Sequence, residues 1–314
     1  MRALIVGFGT IGSRHLQSLA ATPWYDQFIV VEPSDEKYCE GLERIGLDGA
    51  RVMRLDSVGH IPSLPDIAIV ATSAQPRFDI LKTLILQGAK RFLLEKVVFQ
   101  SKGQFVEAIG LLREHEAVAY CNFVNRYFPA YIELGEQIRR SGAPLRMVVV
   151  GGDLGLGCNA IHYLDLFEYL TSRRIKTANA SLEPWSKPSK RGTIYKEFSG
   201  TIAAETEFGD RICIQFDRSN TAPVNLVLDF ADETVVMSEG AGIQWLCSHQ
   251  GIATRPFMII PTSVLTRTIV QDIVSGTTVL PTVAESMSAH LHLFQMIHGA
   301  IGNKHGEERL CPVT

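Results

Sequence analysis

Short apolar segments alternate with longer amphipathic ones over the first 120 residues. The short segments are rich in Val, Ile and Leu and are bounded by glycine, proline or charged residues, which is typical of strands buried on both faces of a parallel sheet. The pattern predicts strands at 3–6, 28–31, 67–71, 92–94 and 117–121, and helices at 11–20, 35–45, 77–88 and 102–115. This alternation predicts a doubly wound α/β domain with right-handed crossovers.

The pattern changes after residue 121. A helix at 129–141 precedes Gly142 and Pro144, and a strand at 147–150 leads through a glycine-rich stretch to a helix at 159–171. The remainder is predicted to hold strands between 178 and 247, among them 211–216, 225–230 and 234–238, and then a helix from the capping box Thr282-x-x-Glu285 to about 301. We therefore predict two domains, a Rossmann domain over 1–120 and an α+β domain with a largely antiparallel sheet over 121–314.

Composition excludes several classes of protein. Hydrophobic residues make up 46% of the 314 residues and charged residues 20%, which is typical of a chain with buried cores. The formal net charge of −3 shows no basic excess, so we expect no nucleic-acid partner. No apolar run reaches the roughly 18–20 residues of a membrane span, and no secretory signal is apparent. Six scattered cysteines without a CxxC pair are typical of reduced thiols, so we expect a cytoplasmic protein.

A glycine motif follows the first predicted strand and opens the first predicted helix: Gly7, Phe8, Gly9, Thr10, Ile11 and Gly12. Gly7 permits a tight turn, Gly9 lets the backbone approach a pyrophosphate, and Gly12 lets helix and strand pack closely. The N-terminus of the helix presents N–H groups and the positive end of its dipole to the phosphates. Because strand, motif and helix agree, we predict that these six residues bind a dinucleotide rather than forming an ordinary turn.

An acidic residue ends the second predicted strand. Glu32 lies twenty residues after Gly12, where a carboxylate can accept hydrogen bonds from the adenosine ribose and repel a 2′-phosphate. We therefore predict NAD as the cofactor. The neighbouring Ser34 and Lys37 are also compatible with NADP, and a solvated charge at the strand end is the alternative for Glu32.

The third and fourth of the short strands end in polar residues at the edge where ligands bind. Thr72 and Ser73 are predicted either to touch the cofactor or to cap the next helix. Glu95 and Lys96 follow the next strand. A partly desolvated lysine beside the nicotinamide can bind, or exchange a proton with, a hydroxyl or carbonyl group. A solvent-exposed Lys96 paired with Glu95 is the alternative.

Several motifs occur in one order along the chain: the glycine motif with Ser13-Arg14-His15, Ala71-Thr72, Glu95-Lys96, Asn125-Arg126-Tyr127-Phe128 and His162-x-x-Asp165. This order resembles the glucose–fructose oxidoreductase/inositol dehydrogenase (Gfo/Idh/MocA) family. The resemblance implies NAD(P)-dependent oxidation or reduction of a sugar or cyclitol carbon. It implies Lys96 beside the reacting hydroxyl and His162 as acid/base. From their places at the strand ends we predict Thr72, Ser73, Glu95 and Lys96 near the cofactor. It also implies a C-terminal sheet that forms a homo-oligomer interface.

Three positions depart from the family pattern. Val97 replaces the proline of Glu-Lys-Pro, and Arg77 stands where a histidine is common. Cys158 lies four residues before His162, where many members have Asp. The missing carboxylate puts mechanisms that need it in doubt, and the adjacent Asn159 is a candidate for part of its polar role.

The helix that carries His162 has a polar face. Cys158, His162, Asp165 and Tyr169 follow the spacing i, i+4, i+7 and i+11, which places them on one side of a helix. Asn159 is predicted as the N-cap of this helix. A structural role is the alternative for His162, and Asp165 is suited to binding a hydroxyl, to orienting His162 or to an internal ion pair.

Five residues are predicted to bind substrate: Asn125, Arg126, Asn159, Tyr163 and Asp165. A pocket cation, either Arg77 or Arg126, would suit an anionic substrate, and surface salt bridges are the alternative for both. No histidine or cysteine set has the spacing of metal ligands, so we predict no metal.

These observations predict an NAD-dependent dehydrogenase of a carbohydrate-like polyol in which Lys96 and His162 meet over the nicotinamide. Two rivals stay open. One is a redox-neutral enzyme on the same fold that retains its NAD, and the other is a non-catalytic NAD-dependent sensor of a sugar or a protein partner.

Overall fold

The structure is a computed structural model that describes residues 1–25, 27–47, 49–152, 154–185, 193–219, 221–302 and 309–314. The strands and helices are, in chain order, β1 (Arg2–Val6), α1 (Thr10–Ala20), β2 (Gln27–Val31), α2 (Asp35–Ile45), β3 (Val52–Leu55), β4 (Ile67–Val70), α3 (Ala74–Leu86), β5 (Arg91–Leu94), α4 (Lys102–Glu114), β6 (Val118–Cys121), α5 (Pro129–Ser141), β7 (Arg146–Gly152), α6 (Leu156–Thr171), β8 (Ile175–Pro184), β9 (Phe198–Thr206), β10 (Arg211–Asp217), β11 (Asn225–Phe230), β12 (Glu233–Ser238), β13 (Ile243–Ser248), β14 (Gly251–Pro256), α7 (Thr262–Ser275) and α8 (Val283–Ala300).

The chain packs into two compact units. The first holds Met1–Phe99, Gly103–Asn122 and Ile260–Glu285, and the second holds the remaining described residues. The first unit therefore includes α7, although this helix lies late in the chain. Helix α7 packs on α1, where the Arg267 N–H donates to Ser18 Oγ over 3.0 Å.

The first unit is built on a six-stranded sheet in the order β3-β2-β1-β4-β5-β6. All its strand pairs are parallel. The residues of β4 are all buried, as expected of a strand covered on both faces. The predicted doubly wound parallel sheet is confirmed. The prediction missed β3, because this edge strand is only partly buried and contains no continuous apolar run.

The second unit is built on an eight-stranded sheet in the order β14-β13-β12-β11-β7-β10-β9-β8. Among the described residues of this sheet only β7 and β10 pair in parallel, so the prediction of a largely antiparallel sheet is confirmed. Buried and exposed residues alternate along β7 and β10, and α6 contacts β9 and β10. One face of the sheet therefore packs against the helix, while the other carries the alternate, more exposed side chains.

Helix α6 begins one turn earlier than predicted. Gly155 is its N-cap, so the prediction that Asn159 caps the helix is wrong. Asn159 lies within the first turn, where its Nδ2 donates to the Gly155 carbonyl over 3.0 Å. The helix extends to Leu156 because this side chain is fully buried in the core of the unit.

Two predicted helix ends are confirmed in detail. Helix α5 has Pro129 at its start and Gly142, in the left-handed conformation, after its end. At the start of α8 the Glu285 N–H donates to Thr282 Oγ1 and the Thr282 N–H donates to the Glu285 carboxylate over 2.8 Å, which is a reciprocal capping box.

No helix among the described residues has the length and apolar character needed to cross a membrane. No disulfide joins any of the six cysteines, all of which lie in the described part of the chain.

Candidate functional site

The glycine loop of the first unit leaves a cradle at the N-terminus of α1. Gly7 has a φ of 86°, which glycine adopts without strain, and its N–H donates to the Val31 carbonyl over 2.9 Å. A Cβ at Gly12 would lie 1.9 Å from the Gly7 oxygen, whereas a Cβ at Gly9 would meet nothing within 4 Å. Gly12 is therefore required by packing, and Gly9 faces open space. No side chain in the described part of the molecule caps the first turn of α1, and Thr10 and Ile11 are exposed there.

Glu32 connects this loop to the end of β2. Its Oε2 accepts from the Phe8 N–H over 3.0 Å and its Oε1 accepts from the Ser34 N–H over 3.1 Å. Glu32 is only 6% exposed, so the alternative of a solvated strand-end charge is wrong. Each carboxylate oxygen has a second lone pair that suits a ribose hydroxyl. The Phe8 side chain is fully buried, which leaves only its backbone for a ligand.

The polar neighbours of Glu32 are already engaged. The Ser34 hydroxyl accepts the Lys37 N–H and so caps α2. Arg54 donates to the carbonyls of Glu32 and Pro33 and pairs with Asp35. Arg54 is therefore held against the end of β2 and the start of α2.

Thr72 lies beside the glycine loop, at the end of β4. A Cβ at Gly7 would be 3.0 Å from Thr72 Cγ2. Thr72 Oγ1 is buried and has no hydrogen-bond partner among the described residues. Since a buried hydroxyl without a partner is costly, this oxygen suits a hydrogen bond with a dinucleotide bound at the loop. Ser73 takes the N-cap position of α3, but its side chain makes no capping hydrogen bond.

Glu95 belongs to a buried hydrogen-bond network at the end of β5. Its Oε1 lies 3.2 Å from His15 Nε2 and 2.5 Å from Asn122 Nδ2. His15 Nδ1 lies 2.8 Å from Thr266 Oγ1, so the imidazole is held at both nitrogens. Burial alone would raise the pKa of Glu95, but the hydrogen bond and charge of His15, with Asn122 and Lys96, lower this pKa to about 2. The carboxylate is therefore ionised at any physiological pH.

Lys96 is 8% exposed, so the alternative of a solvent-exposed lysine is wrong. The segment after it is held by Arg77, whose guanidinium donates to the carbonyls of Val97 and Val98 and to that of Thr72. Arg77 is 1% exposed. Arg77 therefore neither forms a surface salt bridge nor serves as a pocket cation. Its guanidinium joins the residues that follow β4 to those that follow β5.

His162 lies in the second turn of α6, in the second unit, and is partly exposed. Its ring packs edge-on against Phe123, with the centroids 6.0 Å apart. Asn125 is buried in the short 3-10 turn Val124–Tyr127, where its carbonyl accepts the Phe128 N–H. His162 therefore belongs to a regular helix and Asn125 to a hydrogen-bonded turn.

Arg126 and Asp165, two predicted substrate-binding residues, are paired with each other. Arg126 Nε and Nη2 donate to the two Asp165 oxygens over 2.9 and 2.7 Å, and its guanidinium lies over the Tyr169 ring. Burial raises the pKa of Asp165 to about 6, although Arg126 counteracts it. The internal ion pair, one of the alternatives for Asp165, is what the structure shows.

Tyr163 forms part of a second cluster on α6. Its hydroxyl and that of Tyr131 lie 3.2 Å from the two oxygens of Glu239, to which both donate. Burial, and then the charge of Glu239, raises the pKa of Tyr163 well above its ordinary value. The sequence did not single out Glu239, because it follows an ordinary strand and only the fold brings the two tyrosines to it.

A carboxylate missed by the sequence analysis lies at the start of α6. Glu197 Oε2 accepts the Cys158 N–H over 3.3 Å, and Glu197 is 8% exposed. A Cβ at Gly155 would lie 1.9 Å from the same oxygen. The Cys158 thiol donates to the Thr314 carbonyl, with 2.7 Å between sulfur and oxygen. The glycine-rich stretch before α6 was the sequence feature that could have indicated a buried group here, because its glycines leave space for the Glu197 carboxylate.

The first unit fits a dinucleotide. The open space at Gly9, the uncapped first turn of α1 and the buried Thr72 hydroxyl are features that a bound pyrophosphate and ribose would satisfy. No three His, Cys, Asp or Glu side chains of the described residues come close enough together to hold a metal ion.

Comparisons with known proteins support the fold. No protein-family model matches the chain, and no curated protein matches its sequence. An oxidoreductase from Agrobacterium radiobacter, solved with NAD⁺, L-tartaric acid and magnesium, is 12% identical, with a TM-score of 0.79 over 97% of each chain. UDP-N-acetylglucosamine 3-dehydrogenase from Acidithiobacillus ferrooxidans is 16% identical, with a TM-score of 0.77 over 96% of this chain and 98% of that chain.

A levoglucosan dehydrogenase, solved with NADH and levoglucosan, is 14% identical, with a TM-score of 0.76 over 97% of this chain and 98% of that one. At such identities structural similarity establishes the fold and leaves function to the site. The chain has the fold of the Gfo/Idh/MocA oxidoreductases, as the sequence resemblance implied.

Proposed function

We propose that this protein is an NAD(P)-dependent dehydrogenase or reductase of the Gfo/Idh/MocA family. Its reaction transfers a hydride between nicotinamide and a hydroxyl-bearing or keto carbon of a sugar, sugar derivative or cyclitol. The observation that carries the proposal is the glycine loop, with open space at Gly9 and with Thr72 and its buried hydroxyl beside Gly7, in a fold shared with structures solved with NAD⁺ or NADH.

NAD is the proposed cofactor. Glu32 places a carboxylate at the end of β2, where it would accept the ribose hydroxyls and repel a 2′-phosphate. The nearby Arg54 is paired with Asp35, which offsets part of its attraction for a 2′-phosphate. When bound, the nicotinamide supplies the hydride acceptor or donor.

Lys96 and His162 are the proposed catalytic residues. The Lys96 ammonium would polarise the substrate oxygen, and His162 would take the hydroxyl proton during oxidation or return it during reduction. Arg77 holds the backbone that follows Lys96 through the Val97 carbonyl, and it joins this backbone to Thr72. Holding the reacting carbon close to the nicotinamide is the larger contribution of such a site.

Asn125, Asn159 and Tyr163 are the proposed hydroxyl-binding residues of the substrate site. Arg126 and Asp165 contribute as a pair, because each already neutralises the other. A charge-balanced pair suits a neutral polyol better than an anionic sugar.

We also propose that two copies associate through the open face of the second sheet. Val148 and Val150, on β7, are 39% and 38% exposed there. Oppositely charged pairs, Arg146 with Asp229 and Arg211 with Glu205, lie on the same face. The reduced cysteines are consistent with a cytoplasmic protein, which is the proposed location.

The test combines cofactor binding with a substrate screen. NAD⁺ binding is measured by calorimetry, and NADH absorbance is followed over sugars, cyclitols, acidic sugars and sugar nucleotides with both cofactors. Lys96→Ala and His162→Ala should still bind NAD⁺ but lose about 10²–10⁴-fold in turnover. Lys90→Ala and His60→Ala are the controls, because they change exposed residues of the same types. Both should keep the wild-type turnover.

Full turnover in both Lys96→Ala and His162→Ala would reject the assignment of these residues. Product without net NADH would show the redox-neutral chemistry instead. NAD⁺ binding without turnover on any compound would favour the sensor.

A further inference from the structure

Glu95 and Asn122 lie side by side at the ligand-binding edge of the first sheet. The Glu95 N–H donates to the Val70 carbonyl over 3.1 Å, and the Asn122 N–H donates to the Leu94 carbonyl over 2.8 Å. Both residues therefore continue the ladders of parallel strands by one position beyond β5 and β6. This edge is the one that carries the glycine loop after β1.

The two oxygens of Glu95 have different surroundings. Oε1 accepts from His15 Nε2 and from Asn122 Nδ2. The Asn122 amide can have only this orientation, since its oxygen would be repelled at 2.5 Å from a carboxylate. No described residue donates to Oε2. The Glu95 side chain is 15% exposed. Oε1 is therefore held by two hydrogen bonds, whereas Oε2, the open oxygen, accepts none from the described residues.

The open oxygen accepts hydrogen bonds and cannot donate them. With a pKa of about 2, Glu95 is ionised, and an ionised carboxylate is an acceptor only. His15 is fully buried and is itself held by Thr266, so the carboxylate cannot turn to satisfy Oε2 within the protein. A partner for Oε2 must bring an N–H or O–H group.

The position along the sheet indicates which ligand group this is. The glycine loop and Glu32 follow β1 and β2, so the adenosine half of a dinucleotide belongs on that side, and the nicotinamide half belongs over β4, β5 and β6. The carboxamide is the only N–H donor of the nicotinamide ring. We propose that Glu95 Oε2 accepts a hydrogen bond from this carboxamide, with His15 and Asn122 as the positioning residues that aim the oxygen. The proposal rests on the proposed function, because it requires a nicotinamide cofactor.

The experiment compares three ligands by calorimetry and needs no substrate. NAD⁺ has the carboxamide, 3-acetylpyridine adenine dinucleotide keeps the carbonyl but lacks the N–H, and ADP-ribose lacks the ring. Because a hydrogen bond to a charged group contributes more than a neutral one, we expect the Kd of NAD⁺ to be about ten- to a hundredfold lower than that of the acetylpyridine analogue. A ribose hydroxyl as the donor would give equal Kd values, since all nicotinamide analogues share it.

Two variants test the acceptor, Glu95, and one of its positioning residues, Asn122. Glu95→Gln and Asn122→Ala should bring the ratio of the two Kd values close to one, while the Kd of ADP-ribose stays within about twofold. Ser18→Ala is the matched control, because it removes a hydrogen bond between α1 and α7 in the same unit without touching Glu95. It should keep the wild-type ratio.

The results separate the inference from the proposed function. If wild type binds NAD⁺ and the acetylpyridine analogue equally, or if the variants weaken ADP-ribose as much as NAD⁺, the inference is overturned and the cofactor assignment stands. If neither NAD⁺ nor ADP-ribose binds, the proposed function itself fails.

Discussion

At the start of α6, the residue at position 158 determines which hydrogen bonds this part of the site can form. Cys158 stands where the resembling family often has Asp, and its thiol donates to the Thr314 carbonyl. The carboxylate of Glu197, which directly precedes β9, accepts the Cys158 N–H. The position therefore requires a hydrogen-bond donor, and a negative charge is already present beside it.

We predict that Cys158→Asp destabilises the protein rather than restoring a family feature. An aspartate there would face a carbonyl and a neighbouring carboxylate while buried, which should lower the free energy of unfolding by about 2–4 kcal/mol. Cys158→Ser keeps a donor of similar size and should cost less than about 1 kcal/mol. Urea unfolding followed by circular dichroism measures both, and equal stability of the two variants would contradict the prediction.

For other residues the sequence indicates the type of side chain but not its role. Arg77 and Arg126 were each predicted to be either a cation in the substrate pocket or part of a surface salt bridge. The fold buries Arg77 against backbone carbonyls and pairs Arg126 with Asp165, so neither is available to an anionic substrate. The difference arises from neighbours that are distant along the chain.

Among the elements, the loop between β1 and α1 is the one whose sequence motif corresponds most directly to its observed conformation. Its three glycines have different environments: a turn with positive φ at Gly7, open space at Gly9 and tight backbone contact at Gly12. The spacing of the motif predicts these three roles, because each follows from the path of a strand that turns directly into a helix.

We predict that Gly9→Ala and Gly12→Ala separate binding from stability. An alanine at Gly9 meets no protein atom within 4 Å, so the melting temperature should stay within about 2 °C while NAD⁺ affinity falls at least about tenfold. An alanine at Gly12 would clash with the Gly7 oxygen and should lower the melting temperature by several degrees. Scanning calorimetry and NAD⁺ titration measure the two effects, and unchanged affinity in Gly9→Ala would count against the cradle.

Element boundaries were predictable where local chemistry sets them. Helix α5 matches its prediction because Pro129 starts it and Gly142 ends it. The start of α6 was misplaced, because burial of Leu156 and the Glu197 carboxylate outweigh the local preference of Asn159 for a cap. Strand β3 was missed since its pairing with β2, rather than its own apolar content, makes it a strand.

At the scale of the whole molecule, the second sheet has a face whose side chains alternate with the buried ones and are partly exposed. Val148 and Val150 lie on this face beside Cys213 and Ala203 of neighbouring strands. Its charges are arranged in pairs, so a second copy could cover it without burying an unpaired ion.

We predict that Val150→Asp makes the protein monomeric. A buried, unpaired carboxylate would oppose association through this face, so light scattering should show half the wild-type mass or less at micromolar concentration. Val106→Asp changes a valine that is 56% exposed on α4 and should leave the mass unchanged. A monomeric wild type, or a Val150→Asp variant with the wild-type mass, would contradict the proposed interface.

The sequence by itself determined the fold class, the dinucleotide cradle and most helix ends, because these depend on periodicity, glycine spacing and capping residues that act over a few positions. Only the tertiary structure decided which polar groups meet. His15, Glu95 and Asn122 are separated by 27 residues or more, and Cys158, Glu197 and Thr314 by 39 or more. Such contacts depend on the packing of whole elements, and packing brings together side chains whose neighbours no local pattern specifies.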